Sequence, residues 1–257
     1  MTAPTDQAVE PLPRVALVTG AASGIGAAVA RRLAAGYVVF AHDRDADALA
    51  ATAGEIEAAG GTVMTRVGDL TSADECRAAV ADCVERARRL DVLANVAGVA
   101  LFAHVGAMSE EQYRRVMAVN TDAVLFLSQA ALPHLLASSG CIVNLASTAG
   151  LSGVAYNAAY CMSKGAVVAL TRSMAVELTH TTVRVNAIAP GAVDTPMIQQ
   201  LTIPDDVDVE LVLRSAAPGR AAAAPEQVAE LVAFLASPAA SAMNGAIVTM
   251  DGGATAG

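Results

Sequence analysis

Arg14-Val-Ala-Leu-Val-Thr19 runs without a break into Gly20-Ala-Ala-Ser-Gly24-Ile-Gly26, and this stretch decides the fold. An apolar run of that length is the pattern of a parallel strand covered on both faces. It empties into a loop with three glycines and then an Ala-rich helical run to about Ala35. Gly20 permits a tight turn off the strand. Gly24 and Gly26 let backbone and helix approach an anionic group resting on the helix N-terminus. A glycine triplet alone is weak, but a strand before it and a helix after it form the setting that phosphate binding needs.

Outward from there the same alternation continues. Gly36 stops the first helix, and Tyr37 to Ala41 is a second strand ending at Asp43. A helix over Asp45–Ala59 stops at Gly60-Gly61. Thr62 to Val67 is a third strand, followed by Gly68-Asp69-Leu70 and a helix from about Ser72 to Arg89. Asp91 to Asn95 is a fourth strand, then comes a helix over about 110–137, which Pro133 is expected to kink or close. A strand at 141–146, a helix over about 155–179, a strand at Val183–Ile188, a helix at Pro225–Ala236 and a strand at Ala246–Met250 complete the pattern. Seven strands alternating with helices predict an α/β fold, a doubly wound Rossmann-like parallel sheet in a single domain over 13–257. Residues 1–12 read as a disordered lead-in. The stretch 192–218 lacks periodicity and is expected to be a substrate lid.

Composition narrows the class. Hydrophobic residues make up 54% of the chain and charged residues 16%, which suits a packed domain rather than a disordered one. The net charge of −9 argues against nucleic acid and anionic membrane surfaces as partners. No apolar run reaches the ~18–20 residues of a membrane span. Met1 to Pro13 shows no signal pattern, so the expected location is cytoplasmic. Cys76, Cys83, Cys141 and Cys161 form no CxxC pair, and no cysteine or histidine stands at a metal-ligand spacing. They are expected to be reduced core thiols, with no metal.

The chemistry concentrates between Asn144 and Lys164. Ser147 sits where a strand opens into a small-residue loop, and Tyr160 and Lys164 lie four apart on one helix face. A phenol with a pKa of about 10 is a poor proton shuttle at neutral pH. An ammonium beside it is expected to lower that value, and Ser147 to bond the oxygen that Tyr160 protonates. Lys164 is also the only lysine among 16 Lys+Arg. Arginine does not substitute freely for a compact ammonium, so this placement carries weight. Asp43, about twenty residues past the glycine loop, is placed to accept both hydroxyls of an adenosine ribose and to repel a 2′-phosphate, while neighbouring Arg44 offers the opposite preference. Asp69 is placed to meet an adenine amino group. Asn120 is a poor mid-helix residue unless it bonds something, and a local kink holding a water near Lys164 would explain it.

Together these residues resemble the classical short-chain dehydrogenase/reductase family over about 13–253. The matching stretches are Thr19-Gly-Ala-Ala-Ser-Gly-Ile-Gly26, Asp69-Leu70, Asn95-Val-Ala-Gly98, Asn120, Ser147, Tyr160-Cys-Met-Ser-Lys164 and Pro190-Gly191. The resemblance implies a catalytic tetrad of Asn120, Ser147, Tyr160 and Lys164. It also implies a dinucleotide held by Gly20, Ser23, Gly24, Ile25, Gly26, Asp43, Asp69, Leu70, Asn95, Ala97 and Gly98. Tyr160 and Lys164 would join them, with Pro190, Val193 and Thr195 facing the nicotinamide. A homo-oligomer, tetramer or dimer, is implied as well. Three positions depart from the family pattern: Val96 in place of a second asparagine, Ala123 in place of a glycine, and Ala146 in place of a serine. The expected activity is hydride transfer between NAD(H) and a secondary alcohol or ketone, in a pocket walled by Leu151, Val154, Val193, Met197 and Ile198. An NADPH-dependent reductase of the 3-oxoacyl type and a non-catalytic dinucleotide-binding scaffold are the rival readings.

Overall fold

The first strand, β1 (Val15–Thr19), is buried along its whole length, yet its side chains divide between two layers. Ala16 and Val18 join a cluster built with α1 (Gly24–Leu33) and α2 (Ala46–Ala58), while Val15 and Leu17 join one built with α3 (Ala73–Ala87). That two-residue period places a helical layer on each face of the sheet. The computed structural model describes residues 12–200, 202–214 and 221–256. The expected lead-in thus lies outside the described residues except for Leu12.

The remaining strands are β2 (Val38–Asp43), β3 (Val63–Val67), β4 (Val92–Asn95), β5 (Cys141–Leu145), β6 (Arg184–Pro190) and β7 (Ile247–Met250). All pair in parallel in the order β3-β2-β1-β4-β5-β6-β7. The chain winds outward from β1 to β3, then returns to β4 and winds the other way. The reversal opens a crevice above the C-terminal ends of β1 and β4, where ligands of such sheets sit. Central strands are buried on both faces, whereas β3 and β7 at the edges are half covered.

The expected helix over 110–137 is α4 (Glu110–Met117), a single π turn (Ala118–Asp122) and α5 (Ala123–Ser138). Pro133 does not close it. Leu127, Ala131 and Leu135 hold α5 to the core on either side of the proline, and the helix ends at Ser139 in a left-handed cap. By length and composition this 29-residue run is apolar enough to cross a membrane. Here it packs on α3 and on α6 (Ala158–Glu177) as part of one layer. The stretch expected to be irregular contains two short helices, α7 (Pro196–Gln199) and α8 (Val209–Leu213), before α9 (Pro225–Ala236) joins α1 on the opposite face. Residues 201 and 215–220 of the expected lid lie outside the described residues.

Candidate active site

The glycine loop forms the floor of the crevice. Gly24 has φ +50°, and a Cβ there would stand 3.1 Å from Cγ2 of Thr195. At Gly26 a Cβ would overlap the Gly20 carbonyl oxygen, so any larger residue would push α1 off the strand. The loop therefore brings together Gly24 and Thr195, and Gly20 and Ala97. Ser23 precedes α1 in extended conformation and makes no side-chain cap. α2, α3, α4 and α9 each carry an acidic residue in the first turn, whereas α1 carries none and ends on Arg31 and Arg32. The N-terminus of α1 thus presents unpaired N–H groups and a positive dipole end with no competing carboxylate, which fits a bound pyrophosphate.

Asp43 links this loop to α2. Its Oδ2 accepts from Ala22 N at 3.0 Å and its Oδ1 from Asp45 N at 3.0 Å, which fixes the carboxylate at the loop's edge. Arg44 is exposed and pairs with no carboxylate among the described residues. Asp69 is exposed and its Oδ1 accepts from Thr71 N at 3.0 Å, while Leu70 is core. Behind these loops Glu75 accepts from Arg66 Nε and Nη2 at 2.8 and 2.9 Å and lies 3.1 Å from Nε2 of fully buried His42. The Arg66 and His42 bonds hold the Glu75 carboxyl below its ordinary range, and burial pushes the His42 imidazole below its own.

Asn95 departs from expectation. Its side chain is 2% exposed and donates to Asn144 Oδ1 at 2.9 Å and Ser128 Oγ at 3.4 Å. Asn144 in turn donates to Thr171 Oγ1 at 2.9 Å. The Asn95 side chain belongs to a polar network inside the core, and only its backbone is left for a ligand. The residue that shapes the 95–98 loop is Thr19, whose Oγ1 accepts from Val96 N and Ala97 N at 3.0 and 3.1 Å. Thr19 stands in the quoted motif, but its role depends on a pairing across more than seventy residues. Val193, expected as a pocket wall, is instead core at 3% exposure and bridges to Ala223. Leu151, Met197 and Ile198 are exposed around the site, and Val154 partly so. Pro190 closes β6, and Thr195 precedes α7.

At the mouth of β5 the strand gives way to a tight turn that Ser147 caps, its Oγ accepting from Ala149 N at 3.2 Å. The Tyr160 phenol lies beside Ser147, close enough for the hydroxyl to ease its ionisation. Nζ of Lys164 stands 5.8 Å from the Tyr160 ring centre and donates to Leu145 O at 2.7 Å. Gly98 lies between Lys164 and Asn120, its Cβ position 3.5 Å from Nζ and 3.4 Å from Asn120 Oδ1. Asn120 occupies the π turn. Its Oδ1 accepts from Val99 N at 2.8 Å and its Nδ2 donates to Val99 O and Ser163 Oγ at 2.9 and 3.0 Å. Ser163 passes the link on by donating to Tyr160 O at 2.8 Å. The kink expected at Asn120 is present. Both Nδ2 donors are used here, which leaves the π-turn backbone and one lone pair of Oδ1 for a water.

Electrostatics correct one expectation. Burial raises the Tyr160 phenol above its ordinary value, with the Ser147 hydrogen bond opposing and Cys161 reinforcing the shift. Burial also lowers the Lys164 ammonium from 10.5 to about 8. Desolvation thus outweighs the attraction that spacing alone implied, and Lys164 holds its proton loosely. The Cys76, Cys83 and Cys141 thiols are buried and pushed up to about 11, 12 and 11, values of inert core cysteines.

The chain as a whole is similar to known proteins. The family model described as enoyl-(acyl carrier protein) reductase matches residues 20–255. This chain belongs to the classical short-chain dehydrogenase/reductase family. It is 42% identical to meso-2,3-butanediol dehydrogenase of Serratia marcescens over 95% of both chains. It is 39% identical to 2-(R)-hydroxypropyl-CoM dehydrogenase of Xanthobacter autotrophicus, over 95% of this chain and 99% of that one. A short-chain dehydrogenase from Mycobacterium paratuberculosis, solved bound to NAD, superposes with a TM-score of 0.87. It is 31% identical, covering 95% of this chain and 98% of that one. The family is one of oxidoreductases, and the seven-stranded sheet and single-domain build are shared with those neighbours.

Proposed function

We propose that this oxidoreductase transfers a hydride between NAD(H) and the carbon of a secondary alcohol or ketone, with Tyr160 as general acid/base. The observation that carries the reading is the Tyr160 phenol beside Ser147, with Lys164 on the same helix face, 5.8 Å from its ring. The relatives named for butanediol and hydroxypropyl substrates support it, since each name describes a secondary alcohol.

The cradle fits a dinucleotide. Gly20, Ser23, Gly24, Ile25 and Gly26 at the N-terminus of α1 would hold the pyrophosphate, and Asp43 the adenosine ribose. Asp69 and Leu70 would border the adenine, and the backbone at Asn95, Ala97 and Gly98 would line the crevice wall. Pro190, Val193 and Thr195 would face the carboxamide, and Tyr160 and Lys164 the second ribose. Once bound, the nicotinamide supplies the hydride acceptor or donor.

The residues then divide the remaining work. Ser147 donates to the substrate oxygen and holds it against the phenol. Tyr160 takes the alcohol proton in oxidation as the phenolate and gives it back in reduction as the phenol. Lys164, its pKa lowered to about 8, would hold the ribose hydroxyls, and in its charged form it favours the phenolate over the phenol. Asn120 fixes that turn by clamping Val99 and Ser163. Leu151, Val154, Met197 and Ile198 suit an uncharged or weakly polar substrate. A homo-oligomer, tetramer or dimer, in the cytoplasm completes the proposal. Exposed Met162 and Val176 on α6 and Phe234 on α9 offer apolar surface for assembly, to be read by sedimentation.

Tyr160→Phe tests the reading. Turnover of secondary alcohols with NAD should fall about 10²–10⁴-fold, the usual contribution of a positioned acid/base group. Calorimetric affinity for NADH should hold. Full turnover in the variant would refute the role. Exposed Arg44 favours a second reading, an NADPH-dependent reductase of the 3-oxoacyl type, and the FabG reductase of Thermotoga maritima, 36% identical, supports it. Tighter binding of NADPH than NADH would establish that alternative, and failure to bind either would overturn the enzyme reading and leave only the fold.

A further inference from the structure

Three non-glycine residues among those described have a left-handed backbone: Arg88, Ser139 and Tyr156. Arg88 and Ser139 cap α3 and α5, where that conformation commonly ends a helix. Tyr156, with φ +60°, ends nothing; it lies in the loop before α6, four residues ahead of Tyr160. A bulky side chain in that region is strained, and such strain persists where surrounding bonds hold it. Here the bonds run to the loop after β4 and to the segment 202–214. The Tyr156 carbonyl accepts from Ala103 N at 2.8 Å, and its hydroxyl accepts from Asp208 N at 3.0 Å. The ring meets His104 edge-on, centres 4.9 Å apart, and His104 Nε2 lies 2.9 Å from Asp206 Oδ1. Asp208 meanwhile caps α8 through Glu210 N and Leu211 N. Three segments distant in sequence, the loop after β4, the loop before α6 and the stretch 205–208, thus meet at two adjacent side chains.

We propose that Tyr156 and His104 are positioning residues that latch segment 202–214 over the site, through Asp208 N and Asp206 respectively. The strained turn at Tyr156 turns the ring toward this segment rather than into the loop. The geometry stands on the structure alone, while the consequence for catalysis rests on the function proposed above. Closing this segment keeps water from the Tyr160 phenol, and its opening sets how fast ligands exchange.

The test compares full-length protein with a double variant, Tyr156→Phe with Asp206→Ala, which removes both bonds and keeps the aromatic ring. Hydrogen exchange is first measured without any dinucleotide. Amides of 205–213 should exchange about tenfold faster in the variant, while those of β1, β4 and α9 keep their protection. With NAD and a secondary alcohol, KM for the alcohol should rise severalfold with kcat not reduced, and NADH should dissociate severalfold faster in stopped flow. General damage to the fold would lower kcat instead. Unchanged exchange at 205–213 refutes the latch, and so does faster exchange with unchanged KM and release. Because exchange is read without ligand, a protein that oxidises no alcohol would overturn the proposed function and leave the latch to stand or fall on its own amides.

Discussion

Replacing Lys164 by Met should make the protein more stable at neutral pH and less responsive to pH. Lys164 is 3% exposed, and burial lowers its pKa from 10.5 to about 8. At about 1.4 kcal/mol per unit, that gap means the buried ammonium costs the folded state roughly 3 kcal/mol at pH 7. The unfolded chain holds this proton more tightly than the folded one. Stability therefore rises as pH climbs from about 8 toward 10.5, and the full cost applies below pH 8. Met matches the length of the side chain without the charge, but it deprives the Leu145 carbonyl of its 2.7 Å donor. Losing that bond takes back about 1–3 kcal/mol. The Met variant should thus gain about 1 kcal/mol at pH 7, an amount that depends on the carbonyl, and lose this advantage at higher pH. The firmer quantity is the change in the difference between the two proteins, about 2 kcal/mol from pH 7 to 9.5. Urea unfolding of both proteins at the two pH values measures it directly. A difference that does not vary with pH would mean Lys164 is not desolvated as the structure places it. Turnover should vanish in the variant regardless, which separates stability from function at this position.

Three further outcomes follow from the site. Asp43→Ser should weaken NADH binding about tenfold or more by calorimetry, as expected when a charged hydrogen-bond acceptor is lost, and narrow the gap to NADPH. Thr19→Val keeps the side chain's shape but strands Val96 N and Ala97 N, so it should cost about 2 kcal/mol or more in urea unfolding, with unpaired amides as the cause. Glu75→Gln addresses acid stability. The Glu75 carboxyl is held below its ordinary range, so its contribution is present above the unfolded value of about 4.3 and is lost as pH falls through the folded one. The difference between wild type and variant should therefore shrink between pH 6 and 3, and an acid transition of equal depth in both would exclude Glu75 from it.

Much of the architecture was readable because it rests on local signals. The apolar run before Gly20 is a fully buried strand, and the helix at Pro225–Ala236 has the bounds its pattern indicated. Asn120 stood out as a poor mid-helix residue, and the π turn there is the reason. What escaped depends on distant neighbours. Every residue of β4 is buried, so alternation could not tell whether Asn95 faces a ligand or the core. Pro133 reads as a helix breaker, yet packing on both sides of it carries α5 through. The spacing of Tyr160 and Lys164 revealed the pair but not the desolvation that governs both their pKa values. The contacts of Tyr156 and His104 with Asp208 and Asp206 join segments fifty to a hundred residues apart, and no local pattern announces them.

Lys164 is the only lysine in the chain, and it is almost completely enclosed. Reagents that seek side-chain amines therefore have one address on this protein, and it lies inside the crevice. Apart from the chain's α-amine, acylation, reductive methylation or carbonyl condensation should report on that single nitrogen, whose free-amine fraction is substantial by pH 8. An acetyl group placed there would be a complete and countable blockade. A surface cannot reach an amine so enclosed, and Cys161 adjoins Tyr160, so attachment for imaging or immobilisation should go through an introduced residue.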